Sequence, residues 1–288
     1  MTALAAAAPL AVHRSRKLIP EFRLHRPSTA AEAVAIKAAA GAGGVYMAGG
    51  IDVVNRMKSG LPVTDLIHLG LVAGLDGIEE SQHGLRLGAL VTHDRLATSP
   101  LVRARLPDLT QTWPDVANIR IRCKGTIGGN IMAGDPTYDF ALAALAADAR
   151  LYFLTTDGSA QDVSAAQPAG RMRDGLLTAV VLPSGSALRL VFDRTLRPIV
   201  TLALGLDISG GHVTAGRVAI GCAYSAPLMA RLTLEGPLLP TELAHRAERL
   251  AQEVATALPA PLADHHGTPA YRRRMIEVLL RRNLVAAA

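Results

Sequence analysis

Apolar positions change their spacing several times along the chain, and each change marks an element. Residues 18–24 read as a first strand. Pro27, then Thr29 with Glu32 three positions on, form a capping box ahead of a helix that runs to about Ala40. Gly41 closes that helix, and the short strand 44–47 delivers the chain into Ala48-Gly49-Gly50. LIHLG and LRLGAL are further strands separated by turns. Thr92 can cap a helix starting at His93, and Pro107 and Pro114 interrupt the region before residue 120. FALAALAADARLYF, after Asp139, has the Ala/Leu spacing of a helix running into a strand. Residues 161–172 are polar and weakly patterned, an excursion before the strand 178–183.

The turn-rich residues 183–186 are the best boundary, giving units at 18–183 and 186–285. Beyond it ALRLVFDR, PIVTLALGLDISGG and HVTAGRVAIGCA are consecutive strands with glycine turns, an antiparallel meander. Leu243, Ala247, Leu250 and Val254 carry helical spacing through 241–258, which Pro259 ends. Thr268 with Pro269 just inside starts a final helix. The fold class is α+β, with strands before helices in the second half and no internal repeat.

Composition narrows this further. With half of 288 residues hydrophobic and few aromatics, the core is built from Ala, Val and Leu. The net charge of +6 reads as a solubilising bias, because no nucleic-acid recognition motif accompanies it. Cys123 and Cys222 are too few for a disulfide framework or an iron–sulfur cluster and suit a reducing, cytoplasmic setting. No run approaches a membrane span. In the opening MTALAAAAPLAVHRSRK the positive charges follow the apolar run, the wrong order for a secretory signal, so residues up to about Lys17 read as a loosely ordered extension.

Candidate chemistry concentrates in RIRCKGTIGGNIMAGDPTYD, residues 120–139. Gly125, Gly128 and Gly129 leave a backbone with almost no Cβ atoms, able to adopt φ > 0 and gather N–H groups into an anion-binding nest. Thr126 and Asn130 add short polar side chains at the rim. On physics alone this is equally a turn between core elements. GAGGVY at 41–46 lacks the third glycine of a dinucleotide fingerprint and ends a helix instead of opening one.

RIRCKGTIGGNIMAGDPTYD resembles the signature IRN-x-GTIGGN…P-x-x-D of the FAD-binding medium subunits of molybdenum hydroxylases, the xanthine dehydrogenase and carbon monoxide dehydrogenase type. VYMAGGIDVVNRMKSG at 45–60 is similar to that family's AGGTDLLP-x-MK-x-G loop, and ADHHGTPAYRRRMIEVLLRRNL at 263–284 to its closing helix. The resemblance implies a two-part FAD-binding domain of the PCMH type, then a smaller C-terminal domain of the CO dehydrogenase flavoprotein type. It implies that Met47, Ala48, Gly49, Gly50, Ile51, Asp52 and Val53 wrap the FAD diphosphate from one side. Thr126, Gly128, Gly129 and Asn130 would hold it from the other, with Asp139 at the sugar region. Asp174, Leu176 and Phe192 to Arg194 fall near positions that flank the isoalloxazine ring.

The implied role is electron transfer within a complex, FAD passing electrons from [2Fe–2S] clusters of a small subunit to an external acceptor. A large subunit would carry the molybdenum–pterin cofactor, the whole forming a dimer of heterotrimers. No side chain of this chain acts on the organic substrate, and no metal is expected in it. Ile51 stands where the family has Thr or Ser, removing a hydroxyl hydrogen bond of about 0.5–1.5 kcal/mol. That departure keeps open a flavin-free assembly subunit; an independent flavin oxidoreductase with its own substrate pocket is a third reading. Cys123 replaces the usual Asn and reads as structural. His265-His266 lacks helical metal spacing and reads as a solvated loop. Arg272, Arg273, Arg274, Arg281 and Arg282 make the last helix basic, read as a solvated or subunit-contacting face.

Overall fold

A computed structural model describes residues 19–166, 174–183, 188–195 and 199–288. The extension before residue 19, part of the 161–172 excursion and most of the 183–186 turn lie outside those residues.

The described residues begin with a small parallel sheet. Strand β1 (Arg23–His25) is shorter than the expected 18–24, and α1 (Ala30–Ala40) follows it. Thr29 caps α1 by accepting from the Glu32 N–H, while Glu32 reaches back to the N–H of Ser28. Strand β2 (Gly44–Met47), helix α2 (Ile51–Lys58) and β3 (Asp65–His68) complete the unit, with β3 central in the order β1-β3-β2. Asp65, 3 % exposed, ties it together: its carboxylate meets Arg23, His25 Nε2 at 2.8 Å and the Thr64 hydroxyl at 2.8 Å. These bonds, His25 first, hold its pKa down at about 2.

Strands β4 (Ile78–Ser81) and β5 (Gly84–Gly88) start a second sheet. The chain then leaves it through a run of helices: α3 (His93–Thr98), α4 (Pro100–Arg105), α5 (Pro107–Thr112), α6 (Ile119–Arg122), α7 (Ile127–Ala133) and α8 (Asp139–Ala146). It returns as β6 (Arg150–Leu154), β7 (Ala160–Ser164) and β8 (Leu176–Leu182), in the order β4-β5-β8-β6-β7. Part of the expected excursion is therefore the edge strand β7, paired to β6 from Arg150 with Ser164 to Leu154 with Ala160. Trp113, fully buried, stacks edge-on against Phe140 and Phe192 beneath the helices.

The expected meander is present as β9 (Leu188–Arg194), β10 (Thr201–Ser209) and β11 (His212–Gly221), with β12 (Leu228–Arg231) added at the edge. Helices α9 (Pro240–Ala257) and α10 (Pro269–Ala286) cover one of its faces through Leu243, Leu250, Ile276 and Leu280. The other face continues the core of the second sheet: Leu188, Phe192, Ala203 and Ala219 join Leu85, Leu87 and Phe140. Gly205 lets β10 lie on the end of α8, since a Cβ there would sit 2.1 Å from the Ala146 carbonyl oxygen. That carbonyl also accepts from Arg217 Nε at 2.8 Å.

The basic last helix is solvated in part, as expected at Arg274, Arg281 and Arg282, and departs from expectation at Arg272 and Arg273. Arg272 is 2 % exposed and grips Asp264 with one nitrogen while the other donates to the carbonyls of Ile199 and Cys222. Arg273 donates to carbonyls at the end of α9, Arg281 meets Glu248 and Arg282 meets Asp193. Arginine's planar fork suits such multiple acceptors, so Arg272 and Arg273 knit the C-terminal unit, while Arg274, Arg281 and Arg282 stay on the solvated face.

Candidate functional site

The two glycine segments meet backbone to backbone. A Cβ on Gly49 would lie 1.6 Å from the carbonyl oxygen of Lys124 and 3.3 Å from the N of Gly125, so only glycine permits the approach. From there the two segments differ in kind. At the first, Gly50 (φ 76°) is the N-cap of α2 and has no side-chain cap. Among the described residues, no protein acceptor takes up the N–H groups of Ala48, Gly49, Gly50, Ile51, Asp52 or Val53; the first intrahelical bond runs from Val54 to Gly50. Six successive donors at the positive end of a helix form an anion cradle.

The second segment is not the nest expected from its glycines. Gly125, Gly128 and Gly129 have ordinary negative φ, and residues 127–133 are helical. The early N–H groups of α7 are occupied: Ile127 donates to Val91, Gly128 to Ala89, Gly129 to Thr126 Oγ1 and Asn130 to Thr126. Gly128 is a packing glycine, because a Cβ would fall 2.6 Å from the Ala89 carbonyl. Gly129 is exposed, and a Cβ there meets only Thr126 Oγ1 at 3.0 Å. The segment therefore offers a side-chain-free wall and few donors. Asn130 Oδ1 caps α8, accepting from Phe140 and Ala141 N–H at 3.0 and 3.1 Å.

Asp139 opens α8 at 7 % exposure, with Oδ1 lacking any partner among the described residues and Oδ2 3.9 Å from Arg194. Burial raises its pKa to about 6, against the opposing pull of Arg194. Arg194 also donates to the Asp115 carbonyl. Met47 packs beside Met57 and Val63. Leu176, 2 % exposed, lies in the core with Val34, Ile67 and Leu69 instead of on an open face. Asp174 is exposed and pairs with Lys37 at 3.4 Å. His265 and His266 are exposed, and no cluster of metal-ligating side chains occurs among the described residues. A hollow of about 630 Å³ at residues 57–62 lies at the opposite end of α2 from the cradle.

Two residues escaped the sequence reading. His93 supports the wall: its N–H donates to the Gly125 carbonyl, its ring lies 5.8 Å from Trp113, and burial with the Arg122 charge lowers its pKa to about 4. The imidazole is thus neutral packing under the turn. Tyr138 donates its hydroxyl hydrogen to Asp52 Oδ1 at 3.1 Å, bridging the two segments. Burial first, then the Asp52 charge, raises its pKa to about 12, so it remains a donor at neutral pH. Its signal was its place inside the quoted motif, but nothing in the sequence paired it with residue 52.

A dinucleotide fits this donor set. Unoccupied N–H groups at 48–53 suit a diphosphate, the bare surface at Gly129 leaves room, and Asp139 Oδ1 has unused acceptor capacity among the described residues. Comparison with known proteins points the same way. The model of the family described as "FAD binding domain in molybdopterin dehydrogenase" matches residues 20–185. The carbon monoxide dehydrogenase medium chain of Afipia carboxidovorans is 31% identical over 281 residues, covering 92% of this chain and 96% of that one. The nicotine 6-hydroxylase medium subunit of Paenarthrobacter nicotinovorans is 27% identical over 234 residues, 77% of this chain and 81% of that one. Among solved structures, reconstituted CO dehydrogenase from Oligotropha carboxidovorans superposes with a TM-score of 0.80 at 27% identity, covering 94% of this chain and 100% of that one.

Proposed function

Because the chain belongs to the FAD-binding medium subunits of the molybdenum hydroxylases, with their N-terminal PCMH-type region and C-terminal antiparallel sheet, we propose that it holds FAD without a covalent link at the α2 cradle. Within an oxidoreductase complex of that type, FAD held here would supply the redox chemistry between [2Fe–2S] clusters of a small subunit and an external acceptor. The large subunit carries the molybdenum–pterin cofactor, and two heterotrimers pair. We place the complex in the cytoplasm, where two unpaired thiols persist. Among the described residues no helix is long and apolar enough to cross a membrane. A division at 183–186 separates the cradle-bearing unit, 18–183, from the meander unit, 186–285.

The observation that carries this reading is the row of unoccupied N–H groups from Ala48 to Val53. They bind and orient the diphosphate; Gly129 lets it approach; the neutral or charged Asp139 carboxyl holds a sugar hydroxyl; Arg194 fixes the surroundings of the ring from β9. Ile51 takes away a hydroxyl but not a main-chain donor, so it argues against FAD less than the sequence suggested.

Purified protein is expected to be yellow and to release free FAD on acid precipitation. Colourless protein that takes up no added FAD would establish the flavin-free assembly subunit. Without oxygen or any other subunit, aldehydes, purines and N-heterocycles are expected to leave the flavin oxidised; bleaching by one of them would make the chain an independent flavoenzyme.

A further inference from the structure

Asp52 poses an electrostatic difficulty for its own helix. A carboxylate in the first turn ordinarily turns back on nearby N–H groups, where the helix end favours negative charge. At α2 those same donors form the anion cradle, and a carboxylate lying on them would compete with a diphosphate and repel it. Among the described residues the Asp52 oxygens take no main-chain N–H. Oδ1 accepts from the Tyr138 hydroxyl at 3.1 Å and Oδ2 lies 3.5 Å from Arg56.

The loop that presents Tyr138 is held from behind. Asp135 Oδ1 accepts from the N–H and hydroxyl of Thr137 at 2.8 and 2.6 Å. The Pro136 carbonyl accepts from the N–H of Cys222, a non-glycine residue at φ 62°, whose own carbonyl accepts from buried Arg272. The phenol therefore hangs from a fixed strap and not from a free loop.

We propose that Tyr138 is a positioning residue: its hydroxyl turns the Asp52 carboxylate aside and keeps the first-turn donors of α2 open to the diphosphate of FAD. This rests on the reading that the cradle receives that diphosphate, and the experiment separates the two.

The full-length chain, freed of flavin, is titrated with FAD and with ADP, the latter by displacement. Wild type, Tyr138→Phe, Asp52→Asn and the double variant are compared, with melting followed in parallel. Losing a hydrogen bond to a charged group, with the carboxylate released, weakens FAD and ADP about tenfold in Tyr138→Phe. Asp52→Asn, which removes the repelling charge, binds FAD more tightly than wild type. In the double variant the loss from Tyr138→Phe is recovered to within about threefold, which a merely structural tyrosine would not give. Unchanged affinity in Tyr138→Phe, or a double variant no better than Tyr138→Phe, overturns the proposal. Should Tyr138→Phe fail to fold, weaker binding in Asp52→Asn alone overturns it as well. A wild-type chain that binds neither ligand removes the cradle reading itself.

Discussion

Gly49→Ala puts one methyl group where the structure has no room for it. The Cβ would stand 1.6 Å from the Lys124 carbonyl oxygen and 2.5 Å from the carbon behind it. Ordinary contact needs about 3.5 Å, so the two segments must part by about 2 Å. Both sides of the overlap are main chain, and no rotamer change can relieve it. Gly49 has no left-handed φ, so backbone strain adds nothing and the overlap alone is tested. Overpacking of this kind costs about 1–3 kcal/mol, lowering the melting temperature by roughly 2–5 °C in a chain of this size. The loss of FAD is larger in proportion, because donors displaced by about 2 Å no longer reach the diphosphate and each charge-assisted bond contributes about 1.5–3 kcal/mol. Calorimetric melting and FAD titration are run beside Gly77→Ala, where a Cβ meets nothing within 4 Å. A Gly49→Ala chain that melts and binds FAD like the Gly77→Ala chain would refute the backbone contact between the segments.

At Gly129 the same logic reverses: Gly129→Val places its side chain on an open helical surface, so melting should change by at most about 1 kcal/mol while flavin content is lost. Full flavin occupancy would move the diphosphate elsewhere. Asp139 has a folded pKa near 6 against an ordinary 3.8, so its contribution favours the folded state at low pH and is lost as pH rises from about 4 to 6. Two pKa units correspond to about 3 kcal/mol, and Asp139→Asn should flatten that part of the melting profile and raise stability above pH 6 in the flavin-free chain; superimposable profiles would contradict the orphaned carboxyl. Arg272→Met leaves the Ile199 and Cys222 carbonyls without their donor, at a cost of about 1–3 kcal/mol for each stranded group, read as a lower melting temperature. Wild-type melting would show that these bonds contribute nothing net.

Elements with two-faced patterning were legible in the chain: the meander β9–β11, and α9 with its Leu243 to Val254 stripe. Strand β7 was not, because it is a sheet edge whose first three residues are exposed, and exposed edges carry no hydrophobic alternation. Helix α7 was masked by its glycines, which are weak helix formers chosen for close packing on Ala89 and for an open surface. The meeting of two glycine segments at the candidate site was foreshadowed in the sequence, but not that they are two kinds of segment. Whether a glycine stretch still has free N–H groups depends on which carbonyls lie opposite, and Val91 and Ala89 announce nothing of this. Arg272 looked like its neighbours on α10; only its depth and the position of Asp264 set it apart.

The placement of β8 also governs the order in which this protein can be finished during synthesis. Leu85 of β5 pairs with Leu182, and Leu151 of β6 with Val180, so β8 alone joins the two halves of the second sheet. Everything from His93 to Ala146, including the wall that Gly49 leans on, is an arch whose feet stay apart until β8 emerges and inserts. Closing so long an arch is slow and entropically opposed, and until then its apolar helices are exposed to the solvent and to other nascent chains. If FAD sits at the α2 cradle, it meets the wall behind that cradle in place only after the third strand of that return has left the ribosome. FAD bound there would stabilise the closed arch by mass action, and a shortage of flavin would lengthen the interval in which the half-built sheet can aggregate.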